Sequence, residues 1–228
     1  MTYHYRDGLP VEQVAGTLVP TFTTPRNGHY RLFTKRILDV LFVLVAAVPV
    51  VLVVLPLMAL IALDGAPPFY VQDRVGKNGR IFRMYKLRTM VRDADKVLES
   101  YLATNPAARA EWDRSQKLRN DPRITWIGNL LRKTSLDELP QLWNVLIGDM
   151  SMVGPRPMMR GQQAMYPGTE YYAMRPGVTG FWQISVRNLS SFSERASYDR
   201  SYFHRMSFRT DLGVILRTVR VVLQGTGC

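Results

Sequence analysis

The sequence predicts an α+β, mainly helical fold. A proline-broken helix enters and leaves a membrane on one side, and a small cytoplasmic domain follows, with a short β-hairpin and amphipathic interfacial helices. Three observations predict it. From Val40 to Leu63 runs a stretch of 24 residues without a charge, interrupted by Pro49 and Pro56. Basic residues flank that stretch on both sides. Beyond it, two short alternating segments face each other across an Asn-Gly turn.

Composition sets the outer bounds. The chain has 228 residues, 46% hydrophobic and 21% charged, which suits one folded domain plus a membrane element. A formal net charge of +12 favours polyanionic partners: nucleic acid, anionic lipid headgroups or phosphorylated substrates. The single cysteine, Cys228, excludes an internal disulfide, and the three scattered histidines exclude a structural zinc site.

Residues 1–30 carry Pro, Gly and Thr with weak periodicity and read as a poorly ordered lead-in. Residues 31–66 hold the apolar run. It is long enough to cross a hydrocarbon core of roughly 30 Å, and too long and too late for a cleaved signal peptide. Each proline removes a backbone donor and crowds the preceding turn, so a bend is expected, sharpest near Pro56. Arg31, Lys35 and Arg36 precede the run; Arg74, Lys77, Arg80, Arg83, Lys86 and Arg88 follow it. Basic flanks mark the cytoplasmic side, and here both ends carry the mark. A re-entrant helical hairpin satisfies both; a kinked single span is the alternative.

Residues 67–228 read as the soluble domain. Phe69–Gln72 and Ile81–Tyr85 alternate like strands, and Gly76-Lys77-Asn78-Gly79 reads as their turn rather than a phosphate loop. Asp93 to Leu118 reads as a solvated helical stretch interrupted at Pro106. In Ser207 to Leu223, Leu212, Ile215, Leu216, Val219 and Leu223 share a helical face, with arginines opposite. Such a helix suits a membrane surface or ordinary core packing equally.

The residues with chemical promise lie between Asp121 and Pro157. Ser135-Leu136-Asp137-Glu138 has the spacing of a capping box, but Pro140 would fall inside the capped helix. A helix starting at Pro140 and ending near Gly148 fits better, leaving Asp137 and Glu138 just ahead of it. Adjacent carboxylates among cations suit phosphoryl chemistry: one holds Mg²⁺ and the other attacks phosphorus. Lys86, Arg88, Arg132 and Arg156 are the candidate cations. Arg156 sits in the rigid turn Val153-Gly154-Pro155-Arg156-Pro157, where its fork is held ready for a phosphate.

Several segments together resemble the monotopic phosphoglycosyl transferases, or bacterial sugar transferases. They are KRILDV, the proline-broken stretch, QDRVGKNGRIFRMYKLRTM, DPRITWIGNLLRKTSLDELPQLWNVLIGDMSMVGPRP and RPGVTGFWQI. The resemblance covers roughly Arg31 to Gly227. It implies a re-entrant helix in the bacterial inner membrane and a catalytic domain on the cytoplasmic face. It also implies a Mg²⁺-dependent ping-pong reaction between a UDP-sugar donor and polyprenyl (undecaprenyl) phosphate. In that reading Asp137 is the nucleophile and Glu138 the metal ligand. Lys86, Arg88, Arg132, Arg156 and Arg187 stand near the phosphates, and Pro56 marks the helix break. The transfer would open exopolysaccharide or other glycoconjugate assembly.

Two positions depart from the family pattern. Leu55 stands before Pro56 where Ser is frequent, so no hydroxyl caps a carbonyl freed by the break. Val186 precedes Arg187 where Gly is usual. The chain lacks the additional transmembrane helices of longer members, which suggests the minimal catalytic form. Lipid is an expected partner and nucleic acid is not; a homodimer is compatible with the chain, though no residue pattern demands one. A membrane-tethered basic module binding lipid or nucleic acid without catalysis is the rival, and it leaves the Asp-Glu and PRP segments unexplained.

Overall fold

The computed structural model describes residues 28–115, 118–185 and 192–223, together with the backbone of three short strands nearer the N-terminus. Those strands, β1 (His4–Arg6), β2 (Leu9–Val14) and β3 (Thr17–Pro20), pair antiparallel within the segment read as lead-in. Helices dominate the rest, with two small two-stranded sheets among them.

Helix α1 (Lys35–Ala62) follows a π-helical turn at Tyr30–Thr34. Together they make the one helix among the described residues that is long and apolar enough to cross a membrane. It continues as helix through Pro49 and Pro56 rather than breaking at Pro56. Its two ends are held and its middle is not. At the head, Asp39 accepts from the Ser151 hydroxyl at 2.7 Å and the Met152 amide at 3.1 Å. Lys35 donates to Asp211 at 2.6 Å, and the Tyr30 and Tyr202 hydroxyls donate to the same carboxylate. A buried charge is tolerable only when so fully paired. At the tail, Ile61 is buried against Leu87 and Leu131. Between them Val45, Val48, Leu52 and Leu55 are exposed.

Strands β4 (Phe69–Val75) and β5 (Ile81–Leu87) form the expected antiparallel hairpin, running three and two residues past their expected C-terminal limits. Asn78 (φ 57°) and Gly79 (φ 76°) supply the left-handed residues of its turn. Helices α2 (Ala94–Thr104) and α3 (Pro106–Ser115) are divided where expected, with Pro106 as the first residue of α3. Helices α4 (Trp126–Thr134) and α5 (Gln141–Ile147) frame the Asp-Glu pair. Strand β6 (Ser151–Val153) pairs in parallel with β7 (Gly177–Thr179).

Helices α6 (Arg195–Arg205) and α7 (Phe208–Leu223) close the domain. The main core joins Phe82 and Met84 of β5 to Val145, Met150, Met152, Tyr202 and Val214. Helix α7 divides the two readings left open for it. Val214 is buried and Ile215 packs on the core, whereas Phe208, Leu212, Leu216 and Val219 remain exposed.

Candidate active site

The acidic pair is delivered by a short, well-determined piece of backbone. Helix α4 begins at Thr125, whose hydroxyl accepts from the Gly128 amide at 2.9 Å, an N-cap. Gly128 lets α4 lie against the end of β5: a Cβ there would stand 2.0 Å from the Thr89 carbonyl oxygen. The helix ends at Ser135, which takes left-handed dihedrals (φ 56°) and makes no side-chain cap. The capping-box spacing is therefore not used as one. A single 3-10 turn, Leu136–Glu138, follows, and Pro140 then starts α5, which Gly148 (φ 94°) ends. Leu136 packs inward with Leu131 and Leu87, which turns its two acidic neighbours toward the strand.

There they meet Lys86. Its ammonium lies 2.7 Å from Glu138 Oε1 and 3.7 Å from Asp137 Oδ2. The side chains are only 19%, 24% and 13% exposed, in the order Lys86, Glu138, Asp137. Burial pushes the Asp137 carboxyl above the ordinary carboxylate range; Lys86 opposes the rise, Glu138 adds to it, and Arg132 opposes it again. Arg132 is fixed by its own bond from Nε to the Thr89 hydroxyl, 3.0 Å.

A narrow polar cleft opens on the Glu138 side. Lys86, Glu138, Gln141, Arg74, Arg156 and Gln183 are on its walls. Arg156 comes from the expected rigid turn, which is locked by backbone bonds from Gly154 N to the Thr179 carbonyl and from Gly177 N to the Pro155 carbonyl. Gly177 is required there, because a Cβ would stand 2.1 Å from the Gly154 nitrogen. The Arg156 guanidinium lies 5.6 Å from the Trp182 ring centre, on which Arg195 also rests at 5.1 Å. Arg195 in turn donates to the Arg156 carbonyl at 2.8 Å.

Of the residues marked in the sequence, Asp137, Glu138, Lys86 and Arg132 come together, and Arg156 stands on the same cleft. Arg88 does not join them. Its guanidinium is committed to Asp64, at 2.6 and 2.7 Å, and to the carbonyls of Ile61 and Pro67. That embrace holds the Asp64 carboxyl down at about 2. Arg88 thus ties the exit of α1 to the end of β5. Lys86 and Arg88, two apart on one strand end, are drawn to different carboxylates. Arg187 lies outside the described residues. Pro56 lies in α1 near Leu57 and Met58, which pack on the cluster that carries Leu136.

Three wall residues, Arg74, Gln141 and Gln183, were not singled out from the sequence. Each belongs to a segment already noted, but a lone Arg or Gln carries no spacing signal. Arg74 donates to the Pro157 carbonyl at 3.2 Å, and its buried Nε has no hydrogen-bond partner. Burial, then Arg156 and Arg195, weaken its hold on its proton.

The carboxylate pair suits Mg²⁺ as far as donors go. Two hard oxygen ligands are a typical protein share, the rest coming from phosphate and water. No cluster of three acidic, His or Cys side chains occurs among the described residues, so an all-protein cage is not offered.

Known proteins resemble this chain over most of its length. The family described as "Bacterial sugar transferase" matches residues 30–225. A UDP-galactose-lipid carrier transferase of Erwinia amylovora is 46% identical over 87% of this chain and 42% of its own length. The undecaprenyl-phosphate galactose phosphotransferase of Salmonella typhimurium is 42% identical over 86% of this chain and 41% of its own. The exopolysaccharide production protein ExoY of Sinorhizobium fredii is 41% identical, over 85% of this chain and 87% of its own. The chain thus spans less than half of the first two relatives and most of the third.

Proposed function

Since the chain belongs to the bacterial sugar transferase family, we propose that it moves a sugar 1-phosphate from a UDP-sugar to polyprenyl (undecaprenyl) phosphate, with Asp137 as covalent nucleophile. The observation that carries the reading is the meeting of Asp137 and Glu138 on one turn with Lys86 between them.

In the first half-reaction an Asp137 carboxylate oxygen attacks the β-phosphorus of the donor. The bond from that phosphorus to the bridging oxygen breaks, and UMP leaves with the electron pair. In the second, an oxygen of polyprenyl phosphate attacks the same phosphorus and expels Asp137, leaving a diphosphate-linked sugar on the lipid. Lys86 and Arg132 keep the nucleophile ionised against the pull of burial. Lys86, Arg74 and Arg156 line the walls where negative charge gathers on the phosphoryl oxygens. Mg²⁺, held by Glu138 beside Asp137, would neutralise diphosphate charge. Lys86 donates to Glu138 Oε1 at 2.7 Å, so such an ion would share this carboxylate with the ammonium.

The membrane reading has its own support. Both ends of α1 pack into one domain, the head through Asp39 and the tail through Ile61, while its middle is bare apolar surface. A helix whose ends are held by the same domain suits re-entry on the cytoplasmic side of the inner membrane. The exposed row Phe208, Leu212, Leu216 and Val219 on α7 suits the adjoining membrane surface.

The test is UMP release from a panel of UDP-sugars with undecaprenyl phosphate present, with labelled sugar phosphate trapped on the protein. Release of UMP with trapped label supports the reading. No release with any donor sinks it in favour of a binding module.

A further inference from the structure

A second group of cations near the head of α1 forms no ion pair among the described residues, though Asp39 acts on Arg175 from a distance. Arg31, Arg36, Lys77 and Arg175 appear in none of the ion pairs among the described residues. Arg36 donates to the carbonyls of Val145 and Leu146, and Arg175 to that of Gly148 at 2.9 Å, so these two cap the end of α5. Arg31 reaches the Ala173 carbonyl at 3.4 Å and lies over the Phe203 ring; its buried Nη1 has no partner. Lys77 lies on the hairpin turn, which packs against residues 170–173, where Arg31 reaches the Ala173 carbonyl. Burial, then Arg175, then Arg31, lower the Lys77 pKa, so both guanidinium groups act on its ammonium. Partly desolvated charges of one sign repel, and an anion among them removes that cost.

This group is not the catalytic cleft. Gln141, at the start of α5, lines the cleft, whereas Arg175 binds Gly148 beyond its other end. The helix between is about 10 Å long.

The surroundings select the kind of anion. Leu32, Phe33 and Ile37, on the same helix head, are 59%, 62% and 59% exposed, and the bare apolar surface of α1 continues from them. A soluble phosphate gains nothing from such neighbours. A phospholipid does, because its phosphate lies at the depth where basic side chains border an apolar helix. We propose that Arg31, Lys77 and Arg175 bind the phosphate headgroup of an anionic phospholipid and so seat the head of α1 at the membrane surface. The proposal rests on α1 being embedded in the bilayer.

The full chain is reconstituted in nanodiscs of mixed phosphatidylcholine and phosphatidylglycerol, and the lipids it retains are read by native mass spectrometry. Lys77→Gln is the principal variant, since Lys77 forms no ion pair among the described residues and its side chain caps no helix. Wild type retains phosphatidylglycerol in preference. Lys77→Gln lowers that preference roughly fivefold, the worth of one basic residue at an anionic surface, and Lys77→Arg restores it. An unchanged preference in both Lys77→Gln and Arg31→Gln overturns the site. Displacement of the lipid by inorganic phosphate alone also overturns it, in favour of a free anion. Retention of no lipid at all removes the membrane reading and the site with it, whereas retention without preference removes the site alone.

Discussion

The proposed nucleophile, a buried carboxylate, also carries a stability cost. Asp137 has a folded-state pKa raised above its unfolded value by burial. Its contribution to stability is therefore full below the unfolded pKa and is lost as pH rises through the folded one. Once ionised, the buried side chain is a burden on the fold. Asp137→Asn should lower turnover by roughly 10³-fold or more and abolish the trapped phosphosugar, while Tm in differential scanning fluorimetry is unchanged or higher. Substantial turnover by the variant, or a marked fall in Tm, contradicts the assignment. Asp199 gives a second pH signature away from the cleft. Burial raises it to about 6 even though the Tyr166 hydroxyl donates to it at 2.6 Å. By the same sign, it loses stabilising power as pH rises toward and past that value. Asp199→Asn should be the more heat-stable chain near pH 7.5, with the advantage shrinking toward about pH 5. Arg74 and Arg156 test the far wall. A point charge cannot replace a planar fork, so Arg156→Lys should raise KM for the UDP-sugar by roughly tenfold; an unchanged KM removes Arg156 from the donor's phosphates.

Among elements, α1 and its fastenings matter most. The head is fastened by Lys35 and Asp39 to α7 and β6, and the tail by Arg88 to Asp64. Arg88 was read from the sequence as a phosphate contact. In the fold it is a strut, with five donated bonds to residues between Ile61 and Pro67 and a sixth to the Met90 carbonyl. Arg88→Gln should therefore lower Tm by roughly 3–6 °C and expose the chain near residues 63–68 to proteolysis. Its KM for donor should stay near wild type; a large rise in KM with unchanged Tm would return Arg88 to the substrate. The turn between α4 and α5 was more legible. Pro140 and Gly148 bound α5 for reasons written in their own chemistry, missing N–H and left-handed φ, so the position of the acids ahead of that helix followed.

For the whole molecule, the proposed re-entry sets on which side of the bilayer each end of α1 stands. Both ends of the apolar helix pack on a single domain, as the proposed re-entry requires. With Cys228 replaced by Ser, His29→Cys and Tyr70→Cys should each react with an impermeant maleimide from the cytoplasmic face only. Labelling from opposite faces would establish a full crossing.

The sequence by itself determined what local chemistry dictates. The length and apolarity of α1, the Asn-Gly hairpin, the division at Pro106, the span of α5 and the identity of the Asp-Glu pair all depend on neighbours in the chain. Only the tertiary structure decided which distant cations meet that pair. Lys86 reaches it across 52 residues, and Arg88, two residues on, is drawn to Asp64. Arg74, Gln141 and Gln183 join the cleft wall from three separate segments. Charge acts through space rather than along the chain, so the choice among 30 lysines and arginines could not be made before the fold placed them.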